Sequence, residues 1–377
     1  MIISANIRNF RASPKKISAA RRSESDFSGK SGELLRGDGN FVNFAAELSE
    51  MGNFKSIQQS LATELTGLNS LIRQTLQSPN ELMNKVISSY LEKEGKQVRP
   101  ILVMLCAKLF GDVTDKALKG AAAVELLHNA SLIHDDVVDD TTTRRGAPTI
   151  NALWDNHLAV LIGDFFLSNA LLQAAATEDI RIVGSISELG RLLSIGELDE
   201  IYTARFNNLE EEAYFKIIFR KTASLFVACA EVGVFAAGIG KEDPRAAALI
   251  EYSRLLGLCF QIKDDIFDYF ADTAIGKPTG NDLREGKITL PLLHVLRDET
   301  IEGCSEMRCL ARKEALGSEE IASLINFAIE NGGIDYAYAT MARLRDRAAA
   351  LLRDTFAPSP TRDALISLID FIIERNH

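Results

Sequence analysis

The stretch LIHDDVVDD, Leu132–Asp140, crowds Asp135, Asp136, Asp139 and Asp140 into an otherwise apolar run of helical character. Residues four apart share a face of an α-helix, so Asp135 is expected to stack over Asp139 and Asp136 over Asp140. Like charges so placed repel. Water on an exposed face, neighbouring arginines, or a divalent cation taking several carboxylate oxygens could each offset that repulsion.

The spacing occurs a second time. QIKDDIFDYF, Gln261–Phe270, repeats DDxxD with Asp264, Asp265 and Asp268. A lone acidic cluster is usually a solvated helix face, but both of these sit among large apolar residues. Leu132, Ile133, Val137 and Val138 surround one; Phe260, Ile262, Ile266 and Phe267 surround the other. Carboxylates buried there without partners would protonate, because desolvation and mutual repulsion both raise the pKa. Hard oxygen donors suit Mg²⁺, which keeps waters and takes one or two carboxylates together with substrate phosphates. Two facing acidic turns therefore read as walls holding magnesium around a phosphorylated ligand, with Asp135, Asp136, Asp139, Asp264, Asp265 and Asp268 as candidate ligands.

Such a ligand needs cationic partners. EGKQVRP supplies Lys96 and Arg99, TRRGAPT supplies Arg144 and Arg145, and FRKTASLF supplies Lys221 and Thr222. Lys277 and Lys287 lie in DTAIGKPTGNDLREGKIT, a loop from Asp272 too rich in glycine and lysine to be mere spacing. Arginine forks grip phosphate oxygens bidentately, whereas lysines act as mobile point charges. Each base alone reads as a solvated surface charge; the joint pattern carries the inference. His128 lies two helical turns before Asp135 and projects on the same side. With Glu125 it also forms an ExxH spacing, the mark of a di-iron bundle, and Glu374 with His377 forms another. That reading ranks lower, because His377 is the last residue, on a helix end expected to fray.

The rest of the chain supplies the scaffold. Nine prolines in 377 residues leave Pro148–Pro244 and Pro291–Pro358 uninterrupted and rich in Ala, Leu, Glu and Ile, while strict apolar–polar alternation is scarce. The fold class expected is all-α: a single large helical bundle. SPTRDALISLIDFIIER places Ser359 as an N-cap, Pro360 at the first helical position, and Leu365, Leu368, Ile369 and Ile372 in a helical stripe. GDVTD from Gly111, RRGAPT from Arg144 and GKEDPR from Gly240 mark loops. A formal net charge of −10 argues against nucleic-acid binding, and Cys106, Cys229, Cys259, Cys304 and Cys309 lack the spacing of a zinc site or disulfide framework. The windows Ala159–Ala176 and Ala223–Gly240 are broken by Asp164 and Glu231, so no transmembrane segment is expected. Residues 1–22 carry Arg8, Arg11, Lys15, Lys16, Arg21 and Arg22 without an acid. That is transit-like, though a basic tail or an over-long start is the preferred reading. Residues 1–45 are read as a disordered extension and 46–377 as the catalytic domain.

In order along roughly residues 60–330, GKQVRP, HNASLIHDDVVDDTTTRRGAPT, GELDE, KTASLF, CFQIKDDIFDYF and GKPTGNDLREGK resemble the trans-polyprenyl (isoprenyl) diphosphate synthases. The resemblance implies the isoprenoid-synthase bundle, with a central cavity between two aspartate-rich helices. It implies condensation of isopentenyl diphosphate head-to-tail onto an allylic diphosphate, with Mg²⁺ held by the two aspartate motifs. Lys96, Arg99, His128 and Arg145 would match the isopentenyl diphosphate site; Arg144, Lys221, Thr222, Gln261 and Lys277, with Lys287 more loosely placed, would match the allylic diphosphate site. GELDE departs from the pattern by carrying Glu200 where glutamine is more usual, and no role is assigned to it. Ala130 and Ser131, just above the first aspartate turn, are small. In the resembling family that lets the chain grow long, from a farnesyl or geranyl primer, as for a quinone side chain. A homodimer is also implied. The cysteine usage points instead to a reducing cytoplasm, with a membrane-peripheral position as an option, and the location is mitochondrial if the basic N-terminus is a transit peptide. The alternatives are a geranylgeranyl diphosphate synthase, a terpene cyclase, or an inactive regulatory subunit.

Overall fold

The computed structural model describes residues 54–92, 95–144, 146–206, 209–270, 279–313 and 315–375. The basic N-terminal segment, the boundary read at 45/46, Arg145, Lys277 and His377 lie outside the described residues.

The all-α expectation holds. In chain order the helices are α1 (Ala62–Thr75), α2 (Glu81–Leu91), α3 (Val98–Lys108), α4 (Asp115–Val138), α5 (Ile150–Leu153), α6 (Asn156–Ala175), α7 (Ile180–Phe206) and α8 (Glu211–Ile218). They continue as α9 (Ser224–Ala236), α10 (Pro244–Phe267), α11 (Asn281–Arg284), α12 (Leu290–Arg297), α13 (Cys304–Leu310), α14 (Ser318–Glu330), α15 (Gly333–Thr355) and α16 (Pro360–Glu374). One π-helical turn, Phe219–Ala223, joins α8 to α9. RRGAPT, read as a loop, instead contributes to a small antiparallel hairpin of β1 (Thr143–Arg144) and β2 (Ala147–Pro148), with Arg144 opposite Ala147.

Local side-chain chemistry starts these helices, at α16 as the sequence reading expects. The Thr114 hydroxyl accepts the Ala117 N–H at the head of α4, the Asp243 carboxylate accepts the Arg245 N–H at the head of α10, and Ser359 caps α16 through the Arg362 N–H. Pro244 and Pro360 occupy first-turn positions, where a missing N–H costs nothing.

Helix α4 is the centre of the bundle, packed against α1, α3, α6 and α9, which is why its small residues Ala117, Gly120 and Ala121–Ala123 are buried. Helix α10 packs on α9, α15, α16 and the π turn. Phe166, Phe226 and Tyr252 are fully buried, each stabilising the fold by roughly 1.5–3 kcal/mol through its apolar surface. Tyr252 keeps its polar end satisfied by donating to the Leu365 carbonyl at 2.6 Å, which ties α10 to α16. A smaller cluster around Leu292, Val295, Leu296, Ile321 and Leu324 lies within α12 and α14. Among the described helices, α6 is the one long and apolar enough to cross a membrane by length and composition; here it packs against α4 and α7.

Candidate active site

Both acidic motifs fall at the ends of 24-residue helices. Helix α4 stops at Val138 with Asp139 as its C-cap; α10 stops at Phe267 with Asp268 as its C-cap. A helix C-terminus carries the negative end of the backbone dipole, so six aspartates occupy its least favourable end. The expected stacking is corrected in one detail: Asp140 has left the helix in the left-handed region, at φ 49°, and does not sit over Asp136.

At the first turn the two neighbouring aspartates have separate fates. Asp136, buried, receives the Arg144 guanidinium from β1, with Nε and Nη2 each 2.8 Å from Oδ1. Asn151 donates to the Asp136 carbonyl at 3.0 Å, bracing the same turn. Asp135, by contrast, makes no side-chain hydrogen bond to another described residue. Burial pushes its carboxyl up to about 7, with Glu197 adding to the rise and Lys221 opposing it. Asp139 is also raised by burial, against the pull of Lys287 and Lys221.

The second turn is held more fully. The Tyr214 hydroxyl donates to Asp265 at 2.6 Å, the Gln261 amide donates to its other oxygen at 2.8 Å, and the Thr222 hydroxyl donates to Gln261 at 2.5 Å. Burial still raises Asp265, with those donors pulling the other way. Asp268 accepts the backbone N–H groups of Asn281 and Asp282 at 3.0 Å each, so the start of α11 closes on it. Arg375 donates to Asp264 at 2.5 Å and lies 4.1 Å from the Phe260 ring centre.

Lys221 reaches this space from the π turn, an irregularity that Gly196 and Gly257 make room for. A Cβ on Gly196 would lie 2.8 Å from the Lys221 backbone nitrogen, and one on Gly257 would lie 2.5 Å from the Ala223 Cα. Lys221 contacts Glu197 at 3.0 Å and Glu200 at 2.7 Å; Lys287 contacts Glu200 at 2.9 Å and Glu285 at 2.7 Å. Glu200, Lys221, Gln261, Asp265, Asp282 and Lys287 line a cavity of about 240 Å³. A separate cavity of about 270 Å³ is lined by Glu125, Asn129 and Asp136 of α4 together with Tyr90 and Trp154.

Of the four residues expected at the isopentenyl diphosphate site, Arg99 lies over the rings of Phe226 and Phe260 at 5.5 and 5.7 Å, and Lys96 lies over Phe371 at 5.4 Å. His128 is buried. Burial, and then the nearby Arg375 charge, lower the Lys96 pKa, which places Arg375 in this same basic group. Sequence reading missed Arg375, which is remote in sequence, and Glu197 and Asp282, which sit inside quoted motifs. It missed Tyr214 too, which no local pattern marks. Ala130 is buried in the core, and the Ser131 hydroxyl donates to the His128 carbonyl at 2.9 Å; neither lines the two cavities above.

A family model for polyprenyl synthetases matches residues 80–327. The chain belongs to the polyprenyl synthetase family. It is 32% identical over 325 residues to the octaprenyl diphosphate synthase of Escherichia coli (strain K12), covering 86% of this chain and 99% of that one. It is 34% identical over 292 residues to a short chain isoprenyl diphosphate synthase of Methanothermobacter thermautotrophicus, covering 75% and 87%. A polyprenyl synthase of Caulobacter crescentus CB15, solved with calcium and isoprenyl diphosphate, superimposes with a TM-score of 0.78 at 32% identity, covering 86% of this chain and 98% of that one. The enzyme is a prenyltransferase of the trans-prenyl diphosphate synthase kind.

The residues fit a magnesium-dependent site. The donors are all carboxylate oxygens, and burial raises the Asp135 and Asp139 carboxyls, so a divalent cation beside them would favour their ionised forms. Mg²⁺ held by one or two of these carboxylates would take its remaining oxygens from phosphate and water, as that ion ordinarily does.

Proposed function

We propose that this polyprenyl synthetase condenses isopentenyl diphosphate onto an allylic diphosphate, farnesyl or geranyl, and extends it to a long all-trans chain of the kind used as a quinone side chain. The observation that carries this reading is the pairing of two DDxxD turns, at the ends of α4 and α10, with the lysine-lined cavity beside them. Asp135, Asp139, Asp264 and Asp268 would hold Mg²⁺, with Asp136 and Asp265 bracing the turns. When bound, the metal supplies neutralising charge to a leaving diphosphate. Lys221, Lys287 and Arg144 bind and orient that diphosphate, with Thr222 and Gln261 fixing the wall behind it. Lys96, Arg99, His128 and Arg375 hold the isopentenyl diphosphate so that its double bond faces the allylic carbon. That carbon forms the new bond as its bond to the diphosphate oxygen breaks. The proton then lost goes to the released diphosphate, so no side-chain nucleophile is required.

The long-chain reading rests on the small size of Ala130 and Ser131 one turn before Asp135, since neither lines the two cavities described above. Ala130 is 2% exposed, so a tyrosine there would disturb packing as well as length, and Ser131→Phe is the cleaner probe. The outward apolar residues Leu161, Leu171 and Leu172 of α6 and Leu198 and Ile201 of α7 support a homodimer built on these helices. A peripheral cytoplasmic location accompanies the reading. Incubation with labelled isopentenyl diphosphate, Mg²⁺ and farnesyl diphosphate, followed by sizing, tests it. Products longer than geranylgeranyl diphosphate, shortened by Ser131→Phe, are expected; products ending at geranylgeranyl would make this a short-chain enzyme.

A further inference from the structure

Glu200 is a carboxylate placed where the proposed function needs cations. It projects from α7 between two lysines that come from different parts of the chain, one in the π turn and one after α11. Both ammonium groups meet the same oxygen, Oε2, Lys221 at 2.7 Å and Lys287 at 2.9 Å. Each lysine also has its own second carboxylate: Glu197 for Lys221 and Glu285 for Lys287. Burial alone would raise the Glu200 carboxyl, but Lys221 and Lys287 outweigh it and hold it below its ordinary value. Glu200 therefore stands ionised at pH 7, directly between the two cations bordering the 240 Å³ cavity.

We propose that Glu200 sets the charge of the allylic diphosphate site: it is a resident anion that shares Lys221 and Lys287 with the incoming diphosphate and so weakens the grip on the diphosphate product. The inference rests on reading the lysine-lined cavity as the diphosphate site. Position and charge separate cleanly here. In Glu200→Gln the amide oxygen still accepts from both ammonium groups, and Glu197 and Glu285 still hold one lysine each, so the lysines stay in place. What is lost is one negative charge in direct competition with a bound phosphate.

The test is calorimetric titration of the full chain with inorganic diphosphate in the presence of Mg²⁺, paired with steady-state kinetics. Glu200→Gln should bind diphosphate about fivefold more tightly than wild type, as expected for removing one partly screened charge. Its KM for the allylic substrate should fall with it, its kcat should fall as product release slows, and its KM for isopentenyl diphosphate should stay unchanged. Glu285→Gln, which touches only one of the lysines and is half exposed, should shift diphosphate affinity by less than about twofold. Unchanged or weaker diphosphate binding by folded Glu200→Gln overturns the inference. If that variant gives no soluble protein, Glu200→Ala is read by the same criterion. A wild-type chain that binds no diphosphate overturns the function proposed above as well. Wild-type binding and turnover with an indifferent Glu200→Gln overturn this inference alone.

Discussion

The C-terminal turn of α4 and the C-terminal turn of α10 carry the same DDxxD spacing on helices of the same length, but they enter the reaction in different states. At α10 each aspartate is already engaged: Asp264 by Arg375, Asp265 by Tyr214 and Gln261, Asp268 by two backbone N–H groups. At α4 the one aspartate so engaged among the described residues is Asp136, by Arg144; burial raises Asp135 to about 7 as it raises Asp265, but Asp135 has no Tyr214 or Gln261 to fix its direction. Preorganised donors fix a carboxylate's direction in advance; a carboxylate without such donors is left to be oriented by a bound cation. The second turn therefore acts as the rigid wall and the first as the cation-responsive one.

The largest expected effect tests whether both walls are needed. Asp135→Asn and Asp264→Asn should each lower kcat by about a hundredfold or more, with the circular dichroism spectrum unchanged, because each exchanges an anionic ligand for a neutral one of equal size. Near wild-type turnover in either would leave the site with one working wall.

Next come the braces. Arg144→Met strands the buried Asp136 carboxylate and should destabilise the fold by about 2–3 kcal/mol in urea melts, less than a fully buried pair because Arg144 is a third exposed. Tyr214→Phe removes one of two side-chain donors to Asp265 and should cost about 1–2 kcal/mol. If Tyr214→Phe proves the more damaging, the first turn is the better buttressed of the two.

The smallest effect concerns pH. Folding raises Asp135 from 3.8 to about 7, so the metal-free native state holds a proton that the unfolded chain has released. Between about pH 4 and pH 7 this group's contribution to stability falls as pH rises. Mg²⁺ must displace that proton at the lower pH, so its rise in melting temperature should be larger near pH 8 than near pH 6 by about 1–3 °C. An equal shift at both pH values would mean that Asp135 does not face the cation.

The helical class, the cap at Ser359 and the placement of both acidic turns on helices were legible because they depend on residues close in sequence. So were Lys221, Thr222 and Gln261, whose motifs are local. Arg375 and Tyr214 were not: Arg375 reaches Asp264 across 111 residues and Tyr214 reaches Asp265 across 51, so only the packed bundle shows the pairs. Glu200 was visible as a departure, yet its meaning required the two lysines that the fold brings to one oxygen. The hairpin at Arg144 was read as loop because strands of two residues leave no alternation to detect.

The central claim, that α4 and α10 form one metal-dependent diphosphate site, is tested most directly by calorimetry on the wild-type chain with inorganic diphosphate, with Mg²⁺ and then with chelator, repeated for Asp135→Asn and Asp264→Asn. Binding that requires Mg²⁺ and falls at least about tenfold in both variants is expected. Metal-independent binding, or binding that survives loss of the α4 carboxylate, would contradict it.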